Sequence, residues 1–179
     1  MAGFQSNLWA PWRMEYIRSL QDEAGTHGCF FCAYWADPAQ DETHLVVWRD
    51  QHCFVVMNRF PYTSGHLLIA TSAHEGDPLQ LTDEQNASLT RTTWQAVALL
   101  RRTLQPEGCN VGSNLGLCAG AGVPDHYHCH VVPRWAGDTN YMSVLGGVRV
   151  IPEGLNALYA QLVQHAVEMG LRDRPAASR

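Results

Sequence analysis

Residues 126–133 read His-Tyr-His-Cys-His-Val-Val-Pro. Imidazoles at i, i+2 and i+4 alternate with Tyr127, Cys129 and Val131. A β-strand puts His126, His128 and His130 together on one face and the intervening residues on the other. The segment therefore demands a sheet with one face closing a core and the other gathering three imidazoles. Burying three adjacent imidazoles without partners would be costly. The residues leave three uses open: a polar strand face in water, a metal-hydrolase centre with His126, His128 and His130 as ligands, or nucleophilic catalysis by one imidazole that its neighbours orient.

The rest of the chain supplies the sheet. His44–Arg49 and His52–Asn58 are rich in β-branched and aromatic residues and read as a hairpin across Asp50-Gln51. Gly65–Thr71 follows as a third strand after the turn Phe60–Ser64. Asn110–Asn114 and His126–Pro133 are two more strands, joined by a glycine-rich loop. Thr82, with Gln85 three residues on, has the form of a capping box. The helix it opens carries Trp94, Val97, Leu100 and Leu104 at helical spacing and stops at Pro106 and Gly108. A last helix starts near Pro152, carries Leu155, Leu158, Leu162, Ala166 and Met169 on one face, and ends at Gly170. The expectation is an α+β fold, an antiparallel sheet with two helices. Residues 1–28, with Trp9, Trp12 and Tyr16, form an arm. Residues 29–171 form a single domain, and 172–179 a flexible tail.

Composition excludes several chemistries. All 12 basic residues are Arg, so a P-loop, a kinase strand lysine and a Schiff base have no residue to act through. The net charge of −5 and the lack of a basic run argue against a nucleic-acid partner. The N-terminus lacks a signal-peptide pattern, and the longest uncharged stretch, residues 108–124, is too rich in Gly for a membrane span. These features point to a cytoplasmic protein with no membrane partner. Its six cysteines are then core residues or metal ligands rather than a disulfide framework.

The loop Asn114–Gly122 runs into the histidine strand. Glycines there let backbone N–H groups approach an anion, which suggests a phosphate held beside an imidazole nucleophile by Gly120, Ala121 and Gly122. With these flanks the chain resembles the histidine triad (HIT) family. HYHCHVV matches the His-φ-His-φ-His-φ-φ pattern, and MNRFPYTSGHLLIAT resembles the family's strand pair leading to a Gly-His. Residues 110–142, LWAPWRMEYI near the start and GGVRVIPEGL near the end resemble a bacterial branch that includes diadenosine tetraphosphate phosphorylases and hydrolases.

The resemblance implies a homodimer of a HIT-like α+β fold. It implies cleavage of dinucleoside polyphosphates at the α-phosphorus through a nucleotidyl-histidine intermediate, with no organic cofactor. On the matching positions His128 is the nucleophile, His130 supports phosphate binding, and His126 is the first triad residue. Asn58 meets the ribose, and Asn114 opens the phosphate loop. The alternatives are a phosphoramidase or adenylyl-conjugate hydrolase of the same fold, and a non-catalytic nucleotide-binding sensor. One departure stands out: many relatives carry a hydroxyl residue where this chain has Ala121-Gly122. The resemblance also implies a structural zinc on Cys29, Cys32, His74 and His126. His66 reads as a supporting residue, and Arg134 as a partner of either a phosphate or a carboxylate. Cys53, Cys109, Cys118 and Cys129 read as apolar fillers.

Overall fold

The computed structural model describes residues 28–138 and 154–173. The arm, including Trp9 and Trp12, the segment around Pro152 and the end of the tail lie outside the described residues. Five antiparallel strands form one sheet in the order β1-β2-β3-β5-β4: β1 Val46–Arg49, β2 Cys53–Met57, β3 Leu67–Thr71, β4 Gly108–Gly112 and β5 His128–Arg134. Among the described residues four α-helices accompany it: α1 Phe30–Ala36, α2 Asp41–His44, α3 Asp83–Leu104 and α4 Leu155–Glu168. The α+β fold expected from the sequence is the fold found.

Both faces of the sheet are covered. Cys53, Val55, Met57, Leu67, Ile69, Cys129 and Val131 pack with Leu99 and Leu100 of α3 and Leu158 and Leu162 of α4. On the other face Val46, Phe54, Val56, Leu68 and Ala70 close over Phe31 of α1. Every residue of β2 and β3 is buried, which explains why these strands read as continuous apolar runs rather than alternating ones. Among the described residues no helix is long and apolar enough to cross a membrane.

Several boundaries move for local reasons. His44 closes α2 instead of opening β1, because Leu45 adopts a left-handed turn (φ 61°) and its N–H caps that helix. Arg49 holds the turn in place. It pairs with Asp41 at 2.6 Å and donates to the carbonyls of Trp35 and Tyr34 at 3.0 and 2.6 Å. The capping box of α3 forms as read: Thr82 Oγ1 accepts from the Gln85 N–H, and Gln85 Oε1 from the Thr82 N–H. Trp94 does not join the core. It is 59% exposed, and the buried face of α3 runs instead through Leu89, Thr92, Thr93, Ala96, Val97, Leu99 and Leu100. β4 spans Gly108–Gly112 rather than 110–114.

The two edges of the sheet differ. Along β1, Tyr159 Oη donates to the Val46 carbonyl at 3.1 Å, and Arg172 donates to the Val46 and Val47 carbonyls at 2.8 and 2.7 Å. The first residue of the expected tail is thereby fastened to the sheet. β4, at the other edge, is largely exposed within this single chain.

Gly65 sets the approach to the site. Its φ is +83°, and a Cβ there would lie 2.4 Å from Leu104 Cδ1. A side chain would both strain the backbone and push on α3. The glycine lets the chain turn tightly into His66, whose ring is almost fully buried.

Candidate active site and metal centre

β5 pairs with β3 so that His128 lies opposite Ala70 and His130 opposite Leu68, both on the α1 face of the sheet. Cys129 and Val131 enter the opposite core, as the alternation requires. His126 does not sit on the strand. β5 begins at His128, and His126 precedes it in the approach from the loop. The reason is its partners: His126 Nε2 donates to the Thr71 carbonyl at 2.8 Å, and the Tyr127 N–H goes to the Glu75 carbonyl rather than into a ladder.

Each imidazole of the triad faces a different partner, so the three do not converge as a ligand set. His128 Nδ1 donates to the His126 carbonyl at 2.8 Å. That bond fixes the tautomer and leaves the Nε2 lone pair free. Burial lowers the pKa of His128, with the carbonyl bond partly opposing, so the ring is neutral at pH 7.

The tautomer of His130 follows from a chain of contacts. The Tyr62 N–H donates to His66 Nδ1 at 3.2 Å, so His66 carries its proton on Nε2. That proton goes to His130 Nδ1 at 2.9 Å, and His130 in turn carries its own on Nε2. His130 Nε2 is buried and has no partner among the described residues. An N–H donor beside a neutral imidazole is what an incoming anionic oxygen would use. The ring centroids of His128 and His130 are 5.0 Å apart.

Burial, with His128 beside it, pushes the pKa of His130 down from 6.5 to about 4. Between those values the unfolded chain binds the proton and the folded chain does not. Stability is therefore present above about 6.5 and falls as pH drops towards about 4. Urea midpoints at pH 7.5 and pH 5 should fall further apart in the wild type than in His130→Gln. An equal fall in both proteins would show that His130 does not contribute.

Asn58 reaches the same group. Its Nδ2 lies 3.2 Å from His66 Nδ1, and its Oδ1 accepts from the Phe60 N–H at 2.9 Å. Asn114 braces the loop by donating to the Gly120 carbonyl at 3.2 Å. The glycine loop does not offer all its amides to a ligand, however. A 3₁₀ turn at Leu117–Ala119 draws the Gly120 N–H to the Leu117 carbonyl at 2.9 Å, and the Ala121 N–H goes to the Gly116 carbonyl at 3.3 Å. Of the three expected phosphate-cradling positions, two have their N–H groups spent inside the loop. Ala121 is buried and Gly122 exposed. Arg134 meets a carboxylate: it forms a bidentate pair with Asp138 at 2.5 and 2.7 Å and reaches Asn110 Oδ1 at 2.8 Å.

The second cluster lies behind His126. Cys29 caps the N-terminus of α1 and Cys32 lies three residues on, so both sulfurs fall on one side of the first turn. Cys29 Sγ is 3.2 Å from His126 Nδ1, and Cys32 Sγ is 3.3 Å from His74 Nδ1 and 3.5 Å from His126 Nδ1. The two Nδ1 atoms are 3.4 Å apart. All four donor atoms lie within 4.8 Å of one another. Tetrahedral coordination with bonds of about 2.3 Å to sulfur and about 2.0 Å to nitrogen puts donors roughly 3.3–3.8 Å apart. The cluster therefore fits a four-coordinate ion. Burial and the neighbouring Cys29 push the Cys32 thiol up to about 11. With its Nε2 proton on the Thr71 carbonyl, His126 presents the Nδ1 lone pair inward, as a ligand must.

Sequence reasoning missed three contributors: Phe31, Tyr62 and Thr71. Phe31 sits inside the Cys29–Cys32 pair, but a lone apolar residue there carries no signal of its own.

The HIT domain family model matches residues 39–137, more than half of the 179-residue chain. The AP-4-A phosphorylase of Mycobacterium tuberculosis is 36% identical over 155 residues, covering 82% of this chain and 76% of its own. A Zn-bound histidine triad family protein from Mycobacterium smegmatis superposes with a TM-score of 0.64 at 24% identity, over 80% of this chain and 96% of that one. The diadenosine triphosphate hydrolase of Plasmodium falciparum does so with a TM-score of 0.57 at 16% identity, over 70% and 78%. With His128 and His130 on β5, His126 just ahead of it, and this match over most of its length, the chain belongs to the HIT family.

Proposed function

We propose that this chain, an enzyme of the HIT family, cleaves dinucleoside polyphosphates such as diadenosine tetraphosphate at the α-phosphorus, with His128 as nucleophile. The observation that carries the reading is the His128 ring itself. It is buried, neutral, and locked by the His126 carbonyl with Nε2 free. The similarity to a mycobacterial AP-4-A phosphorylase supports the substrate class.

In the first step the Nε2 lone pair forms a P–N bond to the α-phosphorus. The bond from that phosphorus to the bridging oxygen breaks, and the polyphosphate leaves with the electron pair. His130 Nε2–H donates to an oxygen of the reacting phosphate, and His66 holds His130 in the required tautomer. Asn58 meets the ribose from the far end of the same contact chain. In the second step water or inorganic phosphate attacks the nucleotidyl-histidine, the P–N bond breaks with its electron pair returning to Nε2, an attacking water gives up a proton to solvent, and His128 returns neutral. The hydroxyl found in many relatives before the triad has no counterpart here, so any proton the leaving polyphosphate takes up comes from solvent, and the neutral His130 serves as a hydrogen-bond donor that keeps its proton.

We also propose zinc for Cys29, Cys32, His74 and His126. Four protein ligands leave no open position, so the ion is structural, and its charge would hold the cysteines as thiolates. The open edge at β4, where Val111 is exposed, and the exposed Trp94 on α3 support a homodimer; a solution mass of one chain would contradict it.

Incubation with diadenosine tetraphosphate, with and without inorganic phosphate, tests the reaction. ADP and ATP formed only with phosphate identify a phosphorylase. AMP and ATP without it identify a hydrolase. Binding without cleavage in either tube would leave a nucleotide sensor.

A further inference from the structure

The Cys/His centre and the nucleophile share a wall. Phe31 lies between Cys29 and Cys32 in sequence, on the first turn of α1, and is fully buried. Its ring centroid is 5.1 Å from that of His126 and 5.0 Å from that of His128, with the same 43° tilt to each. Phe54 supports it from the sheet, edge-on at 6.1 Å. The side chain therefore touches one residue of the metal-ligand cluster and the nucleophile at once. It is carried by the turn whose two cysteines complete that cluster.

His126 provides the other half of the contact. Its ring belongs to the cluster and its carbonyl holds His128 Nδ1. Two routes thus run from the cluster to one imidazole, one through hydrogen bonding and one through packing. Packed side chains have few alternative arrangements, so displacement at one end reaches the other.

We infer that Phe31 is a positioning residue that transmits the assembly of the Cys29/Cys32/His74/His126 cluster to the His128 ring, so that the nucleophile is aligned only when the cluster is closed. The inference rests on His128 being the nucleophile. Misplacing a reacting group by about 1 Å can cost roughly a hundredfold in rate. Loss of the Phe31 ring should therefore act on kcat, leaving ribose and phosphate contacts, and with them KM, in place.

The test uses the full-length protein purified with zinc. Phe31→Ala should keep its metal content by elemental analysis, because all four ligands remain. Its kcat for diadenosine tetraphosphate should fall by about tenfold or more, with KM within about twofold. The ring N–H resonance of His128 in ¹⁵N-labelled protein, assigned by its absence in His128→Asn, should broaden or shift. Phe31→Leu, which refills most of the volume, should recover both.

Removing the metal from the wild type with a chelator should move the same resonance. This readout needs no substrate, so it separates failure of the link from failure of the substrate assignment. A metal-loaded Phe31→Ala with the wild-type resonance and kcat would overturn the inference. So would a rise in KM with kcat unchanged. Should Phe31→Ala fail to fold, an unmoved His128 resonance in the chelated wild type would overturn it as well.

Discussion

His128→Asn should lower kcat for diadenosine tetraphosphate by about ten thousandfold or more, while the chain stays folded and binds nucleotide. Removing a nucleophile that forms a covalent intermediate forfeits the route rather than one contact, and such losses reach about a millionfold in a hydrolase triad. At about 1.4 kcal/mol per factor of ten, ten thousandfold is roughly 5–6 kcal/mol of barrier. The fold should survive because asparagine keeps a side-chain amide able to donate to the His126 carbonyl, which His128 Nδ1 now satisfies. The cluster is built from His126 and not from His128, so metal content should not change. Steady-state kinetics with equilibrium nucleotide binding checks this. A variant within tenfold of the wild type would remove His128 from the reaction.

Loss of the proposed metal centre should be the largest single stability change. The centre ties the start of α1 to His74 after β3 and to His126 before β5, across sequence separations of 42 to 97 residues. Closing such long loops in the unfolded chain is entropically costly, and a bound ion offsets that cost in the folded state alone. Cys29→Ser combined with Cys32→Ser should abolish metal binding. It should cost at least ~3 kcal/mol, about 6–12 °C in Tm for a chain of this size. The expected value stays well below that of an isolated zinc finger because the two-sided core around the sheet does not depend on the cluster. Elemental analysis and thermal unfolding of both proteins decide it. One metal per chain in the double variant, or an unchanged Tm, would contradict the assignment.

The sequence was most legible where a local rule governs. Thr82 and Gln85 announced the start of α3 because a capping box is satisfied within four residues. The alternation of His128, Cys129, His130 and Val131 announced β5 because a strand has two faces. Legibility failed where tertiary contacts override local pattern. His126 left the strand for a bond to Thr71 and a place among Cys29, Cys32 and His74. Trp94 holds a helical-period position on α3 yet faces outward, since periodicity alone does not say where the apolar stripe ends. The glycine loop was read as free amides, but a 3₁₀ turn decides where two of them point. α1 escaped notice because it has seven residues and its cap makes no side-chain hydrogen bond, although it carries Cys32 and Phe31 into the site.

The proposed reaction passes through a covalent bond between His128 Nε2 and the α-phosphorus. Rapid quenching of the enzyme during turnover of diadenosine tetraphosphate, followed by mass spectrometry of its peptides, tests it most directly. One adenylyl group is expected on the peptide that contains residues 126–133, localised to His128 and absent from His128→Asn. Turnover with an unmodified His128, or with the adenylyl group on another residue, would contradict it.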